Sequence, residues 1–200
     1  MKALFMLFSF FISLCSTAQY SEDSVLEFQH KLNEHYANPE TSPLLEDDLA
    51  KFESLDFFKP DSAYFVKAKL VRTPGEKPFE MPTSTQRKPL YVKYAELHFW
   101  FGGKSYQLDV FQNVEMTRMP LYRNRLFLPF TDLTSGVTTY GGGRYLDLEI
   151  PEGEVMYIDF NKAYNPYCAY NYVFSCPIPP ESNDLAIEIK AGVKLAQSNN

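Results

Sequence analysis

Two stretches in the C-terminal half concentrate the side chains able to do chemistry. Leu146, Leu148 and Ile150 alternate along one run, and Met156, Ile158 and Phe160 along the next, as apolar residues do in half-buried strands. A three-residue tip, Glu152-Gly153-Glu154, would join them as a hairpin in which Leu146 faces Phe160, Leu148 faces Ile158 and Ile150 faces Met156. The opposite face then pairs Tyr145 with Asn161, Asp147 with Asp159 and Glu149 with Tyr157. Carboxylates directly across a ladder repel, so Asp147 and Asp159 need water, a cation, a shared proton or Arg144 beside them. Such a pair can divide acid and base roles, or hold a hard cation through oxygen. The plainer alternative is a solvated outer face on which acids cost little.

Directly before this run stands Tyr140-Gly141-Gly142-Gly143-Arg144-Tyr145. Consecutive glycines let backbone amides turn toward a ligand, and a neighbouring guanidinium grips a carboxylate or phosphate in fork geometry. The alternative is a bulged strand entrance with Arg144 paired to Asp147 or Asp159. No Gly-Lys-Ser/Thr follows, so this is not a P-loop. Directly after comes a segment from Asp159 to Tyr172 that is dense in Tyr and Asn, including Tyr164. Phenol faces and amides suit sugars or other polar rings. The same residues also suit a long ordered loop packed back on the sheet, which Pro177, Pro179 and Pro180 would stiffen. The candidate ligand-binding set is therefore Arg144, Tyr145, Asp147, Asp159, Asn161 and Tyr164.

The common catalytic signatures are missing. There is no Gly-x-Ser-x-Gly elbow and no His-Glu-x-x-His. His30 and His35 fall on an expected helix, and His98 falls on the outer face of an expected hairpin near Trp100. Cys168 as a nucleophile would need a histidine brought to it by the fold. No motif asks for a cofactor or a metal.

The elements that must position these residues are mostly strands. Ser21 or Asp23 can cap a helix carrying Val25, Leu26, Phe28, Leu32 and Tyr36 on one face, and Asn38-Pro39 ends it. Ser42-Pro43 opens a shorter helical pattern with Leu45, Leu49 and Phe52 inward and acids in its first turn. The period then changes to two. Residues 63–72 read as a strand with Tyr64, Val66, Ala68 and Leu70 on one side. Tyr91 to Phe111 reads as a hairpin about Gly102-Gly103, with Leu97 facing Leu108 and Phe99 facing Tyr106. On its other face Glu96, His98 and Trp100 meet Asp109, Gln107 and Ser105. Residues 113–124 form an irregular loop near Arg118, Arg123 and Arg125. Leu126 to Phe130 is a strand whose Pro129 implies an edge or an end, and Leu185 to Lys190 is a last strand.

Length and composition agree with one β-rich domain. The 200 residues are 45% hydrophobic, with 17 Phe, 14 Tyr and 14 Pro against 9 Gly. The formal charge of −6, with no basic cluster, argues against nucleic acid as a partner. Lys2, an apolar run from Ala3 to Leu14, and Ser16-Thr17-Ala18 have the order of a secretory signal cleaved after Ala18. That run is too short to span a bilayer, so no transmembrane segment is expected once the signal is removed. Cys15 offers a lipid-anchored alternative, though Leu14 before it is large for such a site. Cleavage would leave Cys168 and Cys176 alone in an oxidising compartment, where a disulfide is expected, with free thiols or a metal site as alternatives.

Longer motifs carry a family resemblance. They are Thr131-Asp132-Leu133-Thr134-Ser135-Gly136, then Thr139 to Asp147, Asp159 to Tyr170, and Ser175-Cys176-Pro177-Ile178-Pro179-Pro180. With Ser42-Pro43-Leu44, Phe57-Phe58 and Leu128-Pro129-Phe130, they resemble, in order, the domain-of-unknown-function family numbered 1684. The resemblance implies one domain, occurrence in bacteria and an exported or lipid-anchored form. It brings no catalytic residues with it.

The resulting expectation is a signal peptide over residues 1–18 and a single domain over 19–200. The fold class is mostly β (α+β), an antiparallel sandwich or partly open barrel with two N-terminal helices packed at one end. Its expected role, in the bacterial envelope or outside the cell, is to bind a small polar or anionic ligand through the candidate set. The alternatives are a hydrolase using Asp147 and Asp159 on an envelope or carbohydrate substrate, and a structural module that meets a protein partner of unknown kind.

Overall fold

The computed structural model describes residues 19–195; the expected leader, with Cys15, lies outside the described residues. Helix α1 runs Glu22–Ala37, and the Ser21 hydroxyl accepts from the Ser24 amide at its start. Helix α2, Glu46–Leu49, is a single turn with its acids at the positive end of the dipole. The strands are β1 Phe65–Arg72, β2 Phe79–Glu80, β3 Leu90–Phe101, β4 Lys104–Asn113, β5 Arg125–Asp132, β6 Arg144–Glu149, β7 Val155–Asp159 and β8 Asp184–Leu185.

The sheet order is β6-β5-β4-β3-β1-β7, with β2 added to β3 and β8 to β5. Every pairing is antiparallel except β5 with β8. The first hairpin has the expected register throughout: Leu97 opposes Leu108, Phe99 opposes Tyr106 and Trp100 opposes Ser105. Gly102 and Gly103 take φ of 56° and 79°, which the tight turn between β3 and β4 requires.

The second expected hairpin does not form. Strand β6 pairs with β5, setting Leu146 against Leu128 and Asp147 against Phe127. Strand β7 pairs with β1, setting Ile158 against Val66 and Asp159 against Phe65. The inward parity is nevertheless as expected, since Leu146, Met156, Ile158 and Phe160 are all buried. Parity is satisfied by any apolar partner, and β5 and β1 supply Leu126, Leu128, Val66 and Ala68. Ile150-Pro151-Glu152-Gly153-Glu154 is instead a connector; Ile150 donates its amide to Asn124 and Glu154 accepts from Leu70.

That connector also fixes the curvature. A flat path of six strands would hold β6 and β7 about 24 Å apart, at roughly 4.8 Å per step. The link from Glu149 to Val155 reaches at most about 20 Å. The sheet must therefore curl, and it does so as a partly open barrel whose residues from β1 and β3 to β7 share one core. The C-terminal segment fills the interior with Ile189 and Ala191, while Val193 is buried in a separate cluster with Tyr36 and Leu55. Past Leu185 this segment is not the expected strand; it is held by scattered backbone bonds, such as those from Leu133 to Ile187 and from Val193 to Ala163, and by the side chains of Asp132 and Arg144.

Strand β5 is interior, although Pro129 pointed to an edge. Its ladder with β4 is reduced to Phe111 opposite Phe127. Beside that gap the buried Asn183 acts as a surrogate strand. Its Oδ1 accepts from the Asp109 amide at 2.7 Å, and its Nδ2 donates to the carbonyls of Asp109 and Pro129 at 2.8 and 2.6 Å. A proline can sit mid-sheet here because no neighbouring strand asks for its missing N–H.

Candidate functional site

The fold divides the expected site residues among three places. Arg144 lies inside the barrel. Its Nη2 is 2.7 Å from Asp132 Oδ2, neither side chain has exposed surface, and the guanidinium also donates to the carbonyls of Ile189 and Ala191. Asp132 Oδ1 accepts from the Thr134 amide and hydroxyl at 2.8 and 2.6 Å and from the Ile189 amide at 3.1 Å. Burial pulls the guanidinium pKa down while Asp132 opposes that shift, and an arginine stays charged through such a change. The ligand role expected of Arg144 is therefore corrected. It is a clasp on the C-terminal segment, out of reach of any solute.

Asp159 and Asn161 form a second group. Asp159 Oδ1 accepts from the Asn161 side chain at 2.9 Å and from its amide at 3.2 Å, capping a short 3-10 turn. Asn161 also grips the backbone of Asp61 through its Oδ1 and Nδ2, both at 2.9 Å. Asn161 is buried and uses these bonds to tie residues 159–161 to the start of β1. The expected pairing of Asp159 with Asp147 is absent, because their strands are partnered elsewhere and each carboxylate has its own neighbours.

The third group stays together on the outer side of β6. Tyr164 Oη donates to Asp147 Oδ2 at 3.0 Å. Tyr145 and Tyr164 exchange both backbone hydrogen bonds, at 2.9 and 3.0 Å, which adds the Tyr-rich segment to the edge of β6. Their rings meet edge to face at 6.0 Å, and Phe127 stands against Tyr145 at 4.7 Å. The hydroxyl of Tyr145 donates to the Pro177 carbonyl, so the wall is braced from behind.

Asp147 reaches solvent, yet protein surrounds it closely enough for desolvation to push its pKa up, against the opposing pull of Tyr164 and Arg125. Burial likewise pushes Tyr164 and Tyr145 well above the ordinary phenol value, so both remain protonated donors. Burial, and after it the Asp147 charge, raise the Tyr167 phenol as well, and its hydroxyl is 2.9 Å from His35 Nε2 on α1. The arrangement is a half-exposed carboxylate with a fixed phenol donor and aromatic walls. It can accept hydrogen bonds from a ligand but offers no paired acid.

One feature framing this site was missed in the sequence. The loop 82–87 docks on residues 174–178: Ser84 donates its amide to Cys176, and Ile178 donates to Pro82. Only the run of prolines hinted that these loops were ordered. Cys168 and Cys176 are unbonded in this structure, with the Cys168 amide 3.1 Å from Cys176 Sγ. Tyr140 Oη lies 3.9 Å from Cys168 Sγ, and burial pushes both Tyr140 and Cys176 up to about 12.

This geometry belongs to a curled β domain braced around a buried ion pair, with an aromatic-walled carboxylate on its outer face. Residues 50–194 match the family model described as a protein of unknown function, DUF1684, and the chain belongs to that family. It is similar to an uncharacterised protein of Haloarcula marismortui solved by solution NMR. That structure is 33% identical, the match covers 88% of this chain and 95% of that one, and the TM-score is 0.69. No curated protein matches. Among the described residues no helix is long and apolar enough to cross a membrane.

Proposed function

We propose that this protein is an exported binding domain that takes a small polar ligand, donor first, at Asp147. The observation carrying this is the carboxylate itself. It is accessible, raised in pKa, held in place by the Tyr164 hydroxyl and walled by Tyr145. An ammonium group or a pair of hydroxyls would donate to the carboxylate and would face phenol rings, which favour cations and ring C–H faces. The anionic ligand entertained from the sequence loses its support, because Arg144 is spent on Asp132.

The test is a thermal-shift screen with small primary amines and amino sugars on the wild-type chain and on Asp147→Asn and Tyr164→Phe. A compound that raises the melting temperature should do so tenfold less effectively in Asp147→Asn. Equal shifts in both proteins would discard the reading.

Export rests on the leader sequence, and it makes the adjacent thiols of Cys168 and Cys176 a natural disulfide. A bridge closing so short a loop would add roughly 2–3 kcal/mol in relaxed geometry. A partner-binding reading is favoured by one observation: Met116, Met119 and Leu121 are exposed in the same loop as Arg118 and Arg123. A stable partner lost on replacing Met119 and Leu121 with serine would support it.

A further inference from the structure

The outer face of β7, β1, β3 and β4 carries a second group of side chains, remote in sequence from Asp147. A groove of about 550 Å³ runs over it, lined by Lys67, Lys69, His98, Trp100, Ser105 and Gln107. Trp100 is the chain's single tryptophan, and 71% of its surface is exposed. Core packing does not account for a ring so exposed.

Register arranges these residues in rows. Lys67 opposes Tyr157 on β7. Continuing the β1–β3 ladder one step past Ala68 and Phe99 puts Trp100 on the other side of Lys67. Tyr157 and Trp100 thus flank a lysine at two strand spacings, about 10 Å apart. Tyr157 is already stacked on Phe65, centroids 5.2 Å apart and planes at 12°, so its ring is a fixed platform. In the next row Lys69 opposes His98, which opposes Gln107. Lys67 and Lys69 point the same way, about 7 Å apart along the strand.

The charges of this face are sorted. Lys93 bridges Glu96 and Asp109, at 2.8 and 2.9 Å, leaving that trio a single net negative charge, and Glu96 also holds His98 at 3.1 Å. Lys67 and Lys69 make no ion pair among the described residues. Two uncommitted cations, Lys67 between the two rings and Lys69 one row along, with hydrogen-bonding groups beside them, are complementary to a chain of rings bearing sparse negative charge.

We propose that this face binds an acidic polysaccharide. Its sugar rings lie on Trp100 and Tyr157, its carboxylates meet Lys67 and Lys69, and its hydroxyls meet Ser105 and Gln107. A polynucleotide is the poorer match, because its dense charge asks for a broad positive field that a chain of net charge −6 does not supply here. The proposal is independent of the Asp147 site.

Affinity electrophoresis of the purified protein tests it, with polygalacturonate, alginate, dextran or a short oligothymidylate in the gel. The two acidic glycans should retard the protein and dextran should not. Trp100→Ala and the double variant Lys67→Gln/Lys69→Gln should each weaken retardation about tenfold or more, as loss of an interface anchor does. Each substitution is on the exposed face, and unchanged circular dichroism would show the fold intact. Asp147→Asn should be retarded like the wild type, which separates this site from the other. Absence of retardation by both acidic glycans, equal retardation of the variants, or stronger binding of oligothymidylate would each overturn the proposal.

Discussion

Arg144 and Asp132 form an ion pair 2.7 Å long with no exposed surface on either side chain, at the point where β5, β6 and the C-terminal segment meet. Burying two charges is costly, and this pair is tolerated because almost every polar atom finds a partner. It reaches the carbonyls of Ile189 and Ala191, which have no ladder of their own, so it substitutes for a missing strand.

Removing one partner should therefore cost far more than removing both. Arg144→Ala or Asp132→Ala should each lower stability by about 3–5 kcal/mol, because the other charge is left buried and alone. Joined in one chain the two substitutions should fall well short of the sum of the single effects. Urea unfolding of the three variants measures this. Single substitutions costing under about 1 kcal/mol would mean the clasp is ornamental.

The glycine run before Arg144 should respond unevenly to substitution. Gly143 has φ of 87°, and a Cβ there would sit 2.6 Å from the Phe130 carbonyl oxygen and 2.7 Å from a Pro179 ring carbon. Gly141 has ordinary φ and nothing nearer than 3.6 Å. Gly143→Ala should destabilise by about 1–3 kcal/mol or more, through strain and overlap with backbone. Gly141→Ala should stay within about 0.5 kcal/mol. A ligand cradle would predict the reverse emphasis, with melting temperatures alike and ligand binding lost in both.

How these residues were legible differs from one to the next. The β3–β4 hairpin could be counted out from Gly102-Gly103, because a two-residue turn fixes register locally. The β6 and β7 partners could not, since parity says which way a side chain faces and not which strand lies beside it. The same parity that turned Leu146 inward also turned Arg144 inward, as an even-numbered neighbour. A charged residue at a core position was readable as a buried pair; only the glycines beside it invited a ligand instead. Tyr145, Asp147 and Tyr164 remained together because an odd position on β6 faces outward whatever its partner. Asn183 gave no sequence signal, since its role depends on a gap between β4 and β5 that only the fold creates.

Asp147 makes a pH prediction whose sign follows from its environment. Its pKa is raised from the ordinary 3.8 by desolvation, so the folded chain holds this proton more tightly than the unfolded chain. Its stabilising contribution is complete below 3.8 and is lost as pH rises through the higher folded value. The stability of wild type minus that of Asp147→Asn should therefore fall as pH climbs past that window. A cationic ligand should show the opposite trend, binding better as the carboxylate ionises. Urea titrations at a series of pH values, with amine binding followed in parallel, check both slopes; a flat difference would place Asp147 in ordinary solvent.

The two thiols give the last prediction. Burial pushes Cys176 up to about 12, so almost none of it is thiolate near neutral pH, and iodoacetamide should reach it slowly in the reduced, folded chain. Cys176 is buried whereas Cys168 is partly exposed, so labelling should mark Cys168 first. Protein taken from an oxidising compartment should instead resist alkylation at both positions until a reductant is added, because the two residues are neighbours in the fold, with the Cys168 amide 3.1 Å from Cys176 Sγ. Closing that bond would also tether the segment carrying Tyr167 and Tyr170, which packs against Tyr36 of α1. Reduction should accordingly lower the melting temperature and leave the Arg144–Asp132 clasp untouched. Peptide mapping with and without reductant tests this: free thiols at both positions in protein from such a compartment would defeat the pairing.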